Sequence, residues 1–299
     1  MEEQLEHQEQ QYLSLIRKVF SDGIERDDRT GIGTLSIFGE DMTFDISKSF
    51  PLLTTKRVYF KGVVEELLWM LRGQTCAKIL HDKGVKIWDG NSTDPKYIER
   101  TGNKLYDIGP GYGFQLRHFG GNYNDITDDS GIDQLRYILQ ELQDNPESRR
   151  IMWSYWNPKQ MQQMCLPPCH FCYQFYFNKR DNSLSCLMTQ RSADLFLGTP
   201  FNIASVSLLV YILCHIFEMK PGNVKISMGD VHLYKTHLNQ AMIQNERKPY
   251  NFPKLIITKS IKENSTIDEK LKYIEELTLD DIKILDYECH NTIKADMAI

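Results

Sequence analysis

The 299-residue sequence predicts a single α+β domain, residues 1–299, in which one mixed β-sheet is packed by helices. Helical and strand periodicities run along the whole chain, and they alternate too irregularly for a doubly wound fold. No internal repeat and no linker divides them. With 41% hydrophobic and 25% charged residues, the chain has the composition of an ordinary globular protein and enough apolar side chains for a large core.

Residues 1–10, "MEEQLEHQEQ", are polar and acidic and read as an N-terminal extension. Tyr12, Leu13, Ile16, Val19 and Phe20 then follow helical spacing up to Gly23. "TLSIFGEDMTFDI", residues 34–46, is rich in β-branched and aromatic residues and predicts strand. Val63, Val64, Leu67, Leu68 and Leu71 form one apolar stripe, which predicts a helix closed by Gly73. Residues 89–131 are rich in Asp, Asn, Gly and Thr and predict long surface connections with short ordered pieces.

Helical spacing returns with Ile132, Leu135, Ile138, Leu139 and Leu142 until Pro146 stops it. "RRIMWSYW" and "CYQFYFN" predict strands, "KRDNS" a turn, and "LSCLMTQRS" the returning arm of a hairpin. Phe201 to Phe217 is the longest apolar run. It is interrupted by Asn202, Ser205, Ser207 and His215 and falls short of the ~20 residues of a membrane span, so it predicts a buried core helix. "VKISMGDVHLY" predicts a strand leading into the helix "KTHLNQAMIQ". Residues 259–270 are polar without a periodic apolar face and predict a mobile surface insertion.

The net charge of −5 argues against non-specific binding to nucleic acid or to an anionic membrane, since both require a basic surface. An anionic ligand must therefore meet a local basic cluster. The acidic N-terminus has neither a secretory nor a transit signature, so a cytoplasmic protein is expected, with nuclear presence left open. Seven cysteines, an odd number, predict reduced thiols rather than a disulfide framework.

The densest chemistry lies in "MCLPPCHFCYQ", Met164 to Gln174. Cys165, Cys169, His170 and Cys172 could ligate zinc, but zinc motifs pair two ligand clusters across a longer loop, and no second cluster follows. Cys169 alone follows the stiff pair Pro167-Pro168, a position suited to a nucleophile projecting into a cleft. A nucleophilic thiolate requires a nearby cation, and the returning hairpin strand carries Arg191. Cys186 and Cys214 sit on apolar segments and read as structural. "GIG" at residues 31–33 lacks the remainder of a dinucleotide fingerprint and reads as a turn. Taken individually, Arg29, Lys56, Arg57 and the doublet Arg149-Arg150 are ordinary surface cations, and Glu65 and Glu66 flank the apolar stripe equally.

"DRTGIGTLSIFG", "FPLLTTKR", "EELLWMLRG", "GPGYGFQ", "SRRIMWSYWNP", "LPPCHFCYQFY", "QRSADLFLGTPFNIA" and "GDVHLYKTH" occur in the order seen in thymidylate synthases. The resemblance runs from about Tyr12 to Ile299, and without a fused dihydrofolate reductase domain it suggests the monofunctional form. It implies reductive methylation of dUMP to dTMP, with 5,10-methylenetetrahydrofolate as one-carbon and hydride donor and dihydrofolate as by-product. It implies no metal, flavin or nicotinamide, no DNA and no membrane, and a homodimer formed through one face of the sheet.

Carried over residue by residue, the resemblance makes Cys169 the nucleophile and Arg191 the neighbour favouring its thiolate. Glu66 becomes the proton relay, supported by Tyr112 and His170. Arg29, Gln190, Arg191 and Ser192 contact the nucleotide within one subunit, and Arg149 and Arg150 reach its phosphate from the other. Asn202 reads the uracil edge, Asp194 touches base and pterin, and His232 and Tyr234 hold the sugar hydroxyl. Ile87, Trp88, Leu197, Gly198 and Phe201 form the folate wall, Lys56 and Asn91 its rim, and Ala298 belongs to a C-terminal tail that closes through its final carboxylate.

Leu116 and Gly111 depart from a usual tryptophan and valine, implying looser packing near Tyr112. Cys289 and Asn291 stand where prolines are usual, which bears on the order and closing rate of the tail. The competing readings are a hydroxymethylase of the same fold acting on dCMP, which would carry aspartate in place of Asn202, and a non-catalytic nucleotide- or RNA-binding homologue.

Overall fold

The computed structural model describes residues 6–125 and 127–298; residues 1–5 of the polar extension and the Ile299 carboxylate lie outside the described residues. Helix α1 (Gln10–Asp22) turns Tyr12, Leu13, Leu15, Ile16 and Val19 inward. It ends at Gly23, where a Cβ would lie 2.2 Å from the Val19 carbonyl oxygen. The short β1 (Ile24–Arg26) pairs with β2 (Thr34–Asp45). Helix α2 (Phe60–Leu71) buries the predicted stripe together with Trp69 and Met70, and Gly73 follows in the left-handed region at φ 72°.

Four short helices follow: α3 (Lys78–Asp82), α4 (Asp89–Ser92), α5 (Pro95–Thr101) and α6 (Tyr112–Arg117). Helix α5 is bracketed by local signals: an Asp94 side-chain cap, Pro95 in the first turn and left-handed Gly102. The surface expectation fails for α6, whose residues Tyr112 to Leu116 are all buried. Gly113 makes this possible, because a Cβ there would come within 2.5 Å of the Gln74 carbonyl oxygen, so the helix backbone lies directly against the end of α2. The looser packing expected from Gly111 and Leu116 is also revised. Leu116 is fully buried, and a Cβ on Gly111 would stand 2.7 Å from Ile108 Cδ1, so isoleucine already fills that space.

Asp133 caps α7 (Gln134–Asp144), which buries Leu135, Ile138, Leu139 and Leu142. Ile132 lies outside the helix and is 60% exposed, because it is used in a backbone bridge to Phe119. Then come β3 (Met152–Ser154), β4 (His170–Asn178), β5 (Ser183–Asp194), helix α8 (Gly198–Phe217) and β6 (Lys220–Tyr234). The predicted hairpin is β4–β5. Helix α8 spans 20 residues, long and apolar enough to cross a membrane, yet it is packed into the core as expected.

The six strands run in the order β1-β2-β6-β5-β4-β3. Neighbours are antiparallel except β5 and β6, which run parallel because α8 carries the chain across the sheet between them. Met42, Phe44, Phe175, Met188, Val224 and Ile226 are buried, whereas Gln174, Tyr176 and Lys225 are exposed. Period-two alternation thus leaves one sheet face open in the single chain.

Helix α9 (Leu238–Asn245), strand β7 (Lys254–Ile257), helix α10 (Ile267–Glu276) and strand β8 (Ile282–Leu285) complete the fold, with β7 and β8 forming a small antiparallel sheet. The reading of 259–270 is revised in its second half. Thr266 and Glu269 form a reciprocal capping box, and Ser265, Ile267 and Lys270 are buried. The Lys270 ammonium is satisfied by Gln143 and the Ser265 carbonyl, so a polar residue occupies a position on the inner face.

The parallel pairing of β5 and β6 places both strand ends at one edge, with Ser192 opposite Asp230 and Asp194 opposite His232. Strand β4 starts at the same edge, where His170 pairs with Gln190, and α8 begins there too. The candidate residues converge at this edge.

Candidate active site

Cys169 occupies the last position before β4. Its backbone N–H donates to the Tyr112 hydroxyl at 2.7 Å, and its carbonyl accepts the Arg191 N–H at 2.9 Å. The Arg191 guanidinium is fixed by the carbonyls of Pro168 at 3.0 Å and Pro167 at 2.7 Å, which brings Nη2 to 3.8 Å from Sγ. The Pro-Pro pair therefore does more than stiffen the approach: two carbonyls that no proline N–H accompanies hold the cation beside the sulfur.

Arg191 pulls toward the thiolate, as expected, and burial opposes it. Burial raises the thiol pKa above its ordinary value, and the opposing pulls of Arg191 and Arg29 do not cancel that. The guanidinium is placed to stabilise negative charge on the sulfur as it develops. Cys165 and Cys172 are also raised by burial, and the nearby cation that marks Cys169, Arg191, is hydrogen-bonded to Cys169 alone of the three.

The two glutamates that sequence could not separate are separated by their partners. Glu65 pairs with Lys83 at 2.6 Å. Among the described residues, Glu66 accepts only Trp88 Nε1–H, at 2.8 Å, and desolvation pushes its pKa up to about 7. A carboxyl at that value is poised to give or take a proton near neutrality. Trp88 packs against Tyr112 at 5.8 Å, and the Tyr112 ring stacks on His170 at 4.5 Å. Glu66, Trp88, Tyr112, His170 and Cys169 thus form one connected set.

The ligand-binding candidates fall into three groups. At the sheet edge, Gln190 Nε2 donates to Asn202 Oδ1 at 3.0 Å, which orients that amide, and His232 Nδ1 lies 2.8 Å from Asp230 Oδ1 beside Tyr234. Asp194 Oδ1 accepts the N–H groups of Phe196 and Leu197, and Ser192 is half-buried in the same strand. Arg29 is exposed, near enough to lower the Cys169 pKa.

The second group is apolar. Leu197, Gly198 and Phe201 are half-buried at the start of α8, and Ile87 and Asn91 flank the buried Trp88. Lys56, expected at a rim, is buried: its ammonium donates to the Phe196 carbonyl and sits 3.5 Å above that ring, with a pKa lowered to about 8 by burial.

Arg149 and Arg150 form the third group, and the single chain does not bring them to Cys169. They are exposed ahead of β3, and neither guanidinium has a hydrogen-bond or ion-pair partner among the described residues. Arg149 lines a groove on the open sheet face with Gln174, Tyr176, Leu187, Asn223 and Lys225.

The tail is docked despite Cys289 and Asn291. His290 N–H donates to the Thr54 carbonyl at 2.7 Å, Arg247 holds the Asn291 carbonyl at 2.8 Å, and His237 Nε2 lies 2.7 Å from the Asp296 carbonyl. Ala298 is half-buried at its end. Among the described residues no group of three His, Cys, Asp or Glu side chains is arranged to hold a metal ion. Sequence reasoning overlooked Asp230, Tyr155 and Tyr173. Asp230 lies two residues before His232 in a strand, so its position on the same face was available from period two.

Residues 10–299 match the family model described as thymidylate synthase. The chain is 44% identical over 299 residues to the human thymidylate synthase, covering 98% of this chain and 91% of that one. It is 45% identical to the thymidylate synthase of human herpesvirus 8 type P (isolate GK18), covering 98% and 85%. It is also 48% identical to the bifunctional dihydrofolate reductase-thymidylate synthase of Paramecium tetraurelia, over 98% of this chain. It spans 62% of that protein and 56% of the Leishmania major bifunctional protein.

Proposed function

The chain belongs to the thymidylate synthase family, and on that premise we propose that it converts dUMP to dTMP with 5,10-methylenetetrahydrofolate, releasing dihydrofolate. The observation that carries this reading is one connected site holding a thiol 3.8 Å from a guanidinium and a carboxyl whose pKa is about 7.

Uracil C5 becomes nucleophilic only after a group adds at C6. Cys169 sulfur supplies that group: its proton passes to water as the C6–S bond forms, the C5–C6 π pair moves onto the C4 carbonyl as an enolate, and Arg191 stabilises the charge that passes through sulfur. The folate supplies the one-carbon unit and, later, the hydride. Glu66 takes part in removing the C5 proton, as a base whose pKa matches neutral pH, and expulsion of Cys169 ends the cycle. Asn202, held by Gln190, offers an acceptor and a donor to the uracil edge, which favours dUMP over dCMP.

Arg29, Arg191 and Ser192 would bind the phosphate from the same chain, with Arg149 and Arg150 added by a second copy across the open sheet face. The exposed guanidinium pair and the exposed Tyr176 on that face support a homodimer. All seven cysteines are free thiols, which supports a reducing, cytoplasmic setting. Incubating the protein with dUMP and methylenetetrahydrofolate should yield dTMP and dihydrofolate in equal amounts. Absence of dTMP, or a hydroxymethylated product from dCMP, would overturn the proposal.

A further inference from the structure

We propose that Tyr173 is a positioning residue for this reaction: its hydroxyl donates to His170 Nδ1 and so presents His170 Nε2–H to the active site. The inference rests on the proposed reaction for its kinetic consequence, but not for the tautomer itself. Tyr173 lies on β4, is 4% exposed, and its hydroxyl is 2.9 Å from His170 Nδ1. That is its one side-chain hydrogen bond among the described residues, so no competing acceptor draws the phenolic proton away.

The direction of donation follows from the partners: Nδ1 is the one acceptor that the Tyr173 hydroxyl proton reaches among the described residues. Burial pushes the Tyr173 pKa well above its ordinary value, so the oxygen keeps its proton. Burial also lowers His170 to about 4, so the imidazole is neutral and carries a single N–H. With Nδ1 accepting, that N–H is on Nε2. No described residue is hydrogen-bonded to Nε2, so this donor is available to substrate or to water in the site.

The ring cannot turn easily to present its other edge. Tyr112 stacks on one face at 4.5 Å and 30°, Tyr155 meets it edge-on at 6.0 Å, and Tyr173 does so at 5.9 Å. Trp153 backs Tyr173 at 5.4 Å and Tyr155 at 6.1 Å. The Tyr112 hydroxyl accepts the Cys169 N–H, so the ring that carries His170 also touches the backbone of the nucleophile. Tyr173 therefore acts on the reacting centre through His170, without touching substrate.

The test is Tyr173→Phe, which removes one oxygen and leaves the aromatic packing in place. Protein labelled with 15N-histidine should show His170 with Nδ1 unprotonated and Nε2 protonated, and Tyr173→Phe should shift His170 toward a mixture of the two neutral tautomers. Loss of one hydrogen bond predicts a fall in kcat of about tenfold, with KM for dUMP within about twofold. Protonated Nδ1 in the wild-type spectrum overturns the inference even if the variant fails to fold. Wild-type kcat in Tyr173→Phe with an unchanged His170 spectrum also overturns it. A wild-type protein that makes no dTMP refutes the proposed reaction instead, and the tautomer is still decided by the spectrum.

Discussion

Replacing Glu66 by Gln should inactivate the protein and stabilise it, with the gain growing from pH 4.5 and reaching its full size above about pH 7. The carboxyl has no cationic partner among the described residues, in contrast to Glu65 with Lys83, and its pKa rises from 4.5 to about 7 on folding. At about 1.4 kcal/mol for each unit of pKa, holding the ionised form in the folded state costs about 3 kcal/mol. Below pH 4.5 the group is protonated in both states and costs nothing. Between 4.5 and about 7 the unfolded chain has released the proton while the folded chain retains it, so stability falls as pH rises, and above 7 the full cost persists. Glutamine is neutral throughout, and its Oε1 can keep the 2.8 Å bond from Trp88.

Urea unfolding of wild type and Glu66→Gln, at one protein concentration, should therefore give nearly equal stabilities at pH 4.5. At pH 8 the variant should be more stable by about 2–3 kcal/mol. Loss of the proton relay should lower kcat by roughly 10²–10⁴-fold. A stability difference that stays constant between pH 4.5 and 8, or that widens in favour of the wild type, would refute the reasoning.

Alkylation of Cys169 by iodoacetamide in the ligand-free protein should quicken continuously through neutral pH and past pH 9, since burial raises the thiol pKa; a plateau below pH 8 would contradict this. Arg191→Gln should move that profile further alkaline, because it removes the larger of the two opposing cationic pulls. Asn202→Asp should reduce the preference for dUMP over dCMP, measured as the ratio of kcat/KM values, by on the order of a few kcal/mol. An unchanged ratio would remove Asn202 as base reader. Arg150→Glu and Cys169→Ala homodimers should each be nearly inactive, and mixing them under subunit exchange should restore activity through one intact site per heterodimer. If the subunits exchange and activity stays absent, the arginines do not act across an interface.

Most of the fold was legible because helix and strand faces are local patterns: the Val63 to Leu71 stripe and the β4–β5 hairpin needed no tertiary information. Helix α6 escaped because its burial depends on the close approach of Gly113 to Gln74, which composition cannot show. In residues 259–270 the capping box was present in "TIDE", but buried Lys270 disguised the inner face. At the site, the hairpin register correctly brought Arg191 beside Cys169, whereas the charge state of that thiol depended on burial. Lys83, eighteen residues beyond Glu65, and Trp88, which donates to Glu66, distinguish the adjacent glutamates through tertiary contacts.

The proposed reaction turns on covalent activation of uracil by Cys169 followed by proton removal at C5. Tritium release from C5-labelled dUMP in the presence of methylenetetrahydrofolate measures that step directly. Release should be stoichiometric with the wild type, absent with Cys169→Ala despite retained dUMP binding, and undiminished with Cys165→Ala and Cys172→Ala. Release by Cys169→Ala at the wild-type rate would contradict that reaction.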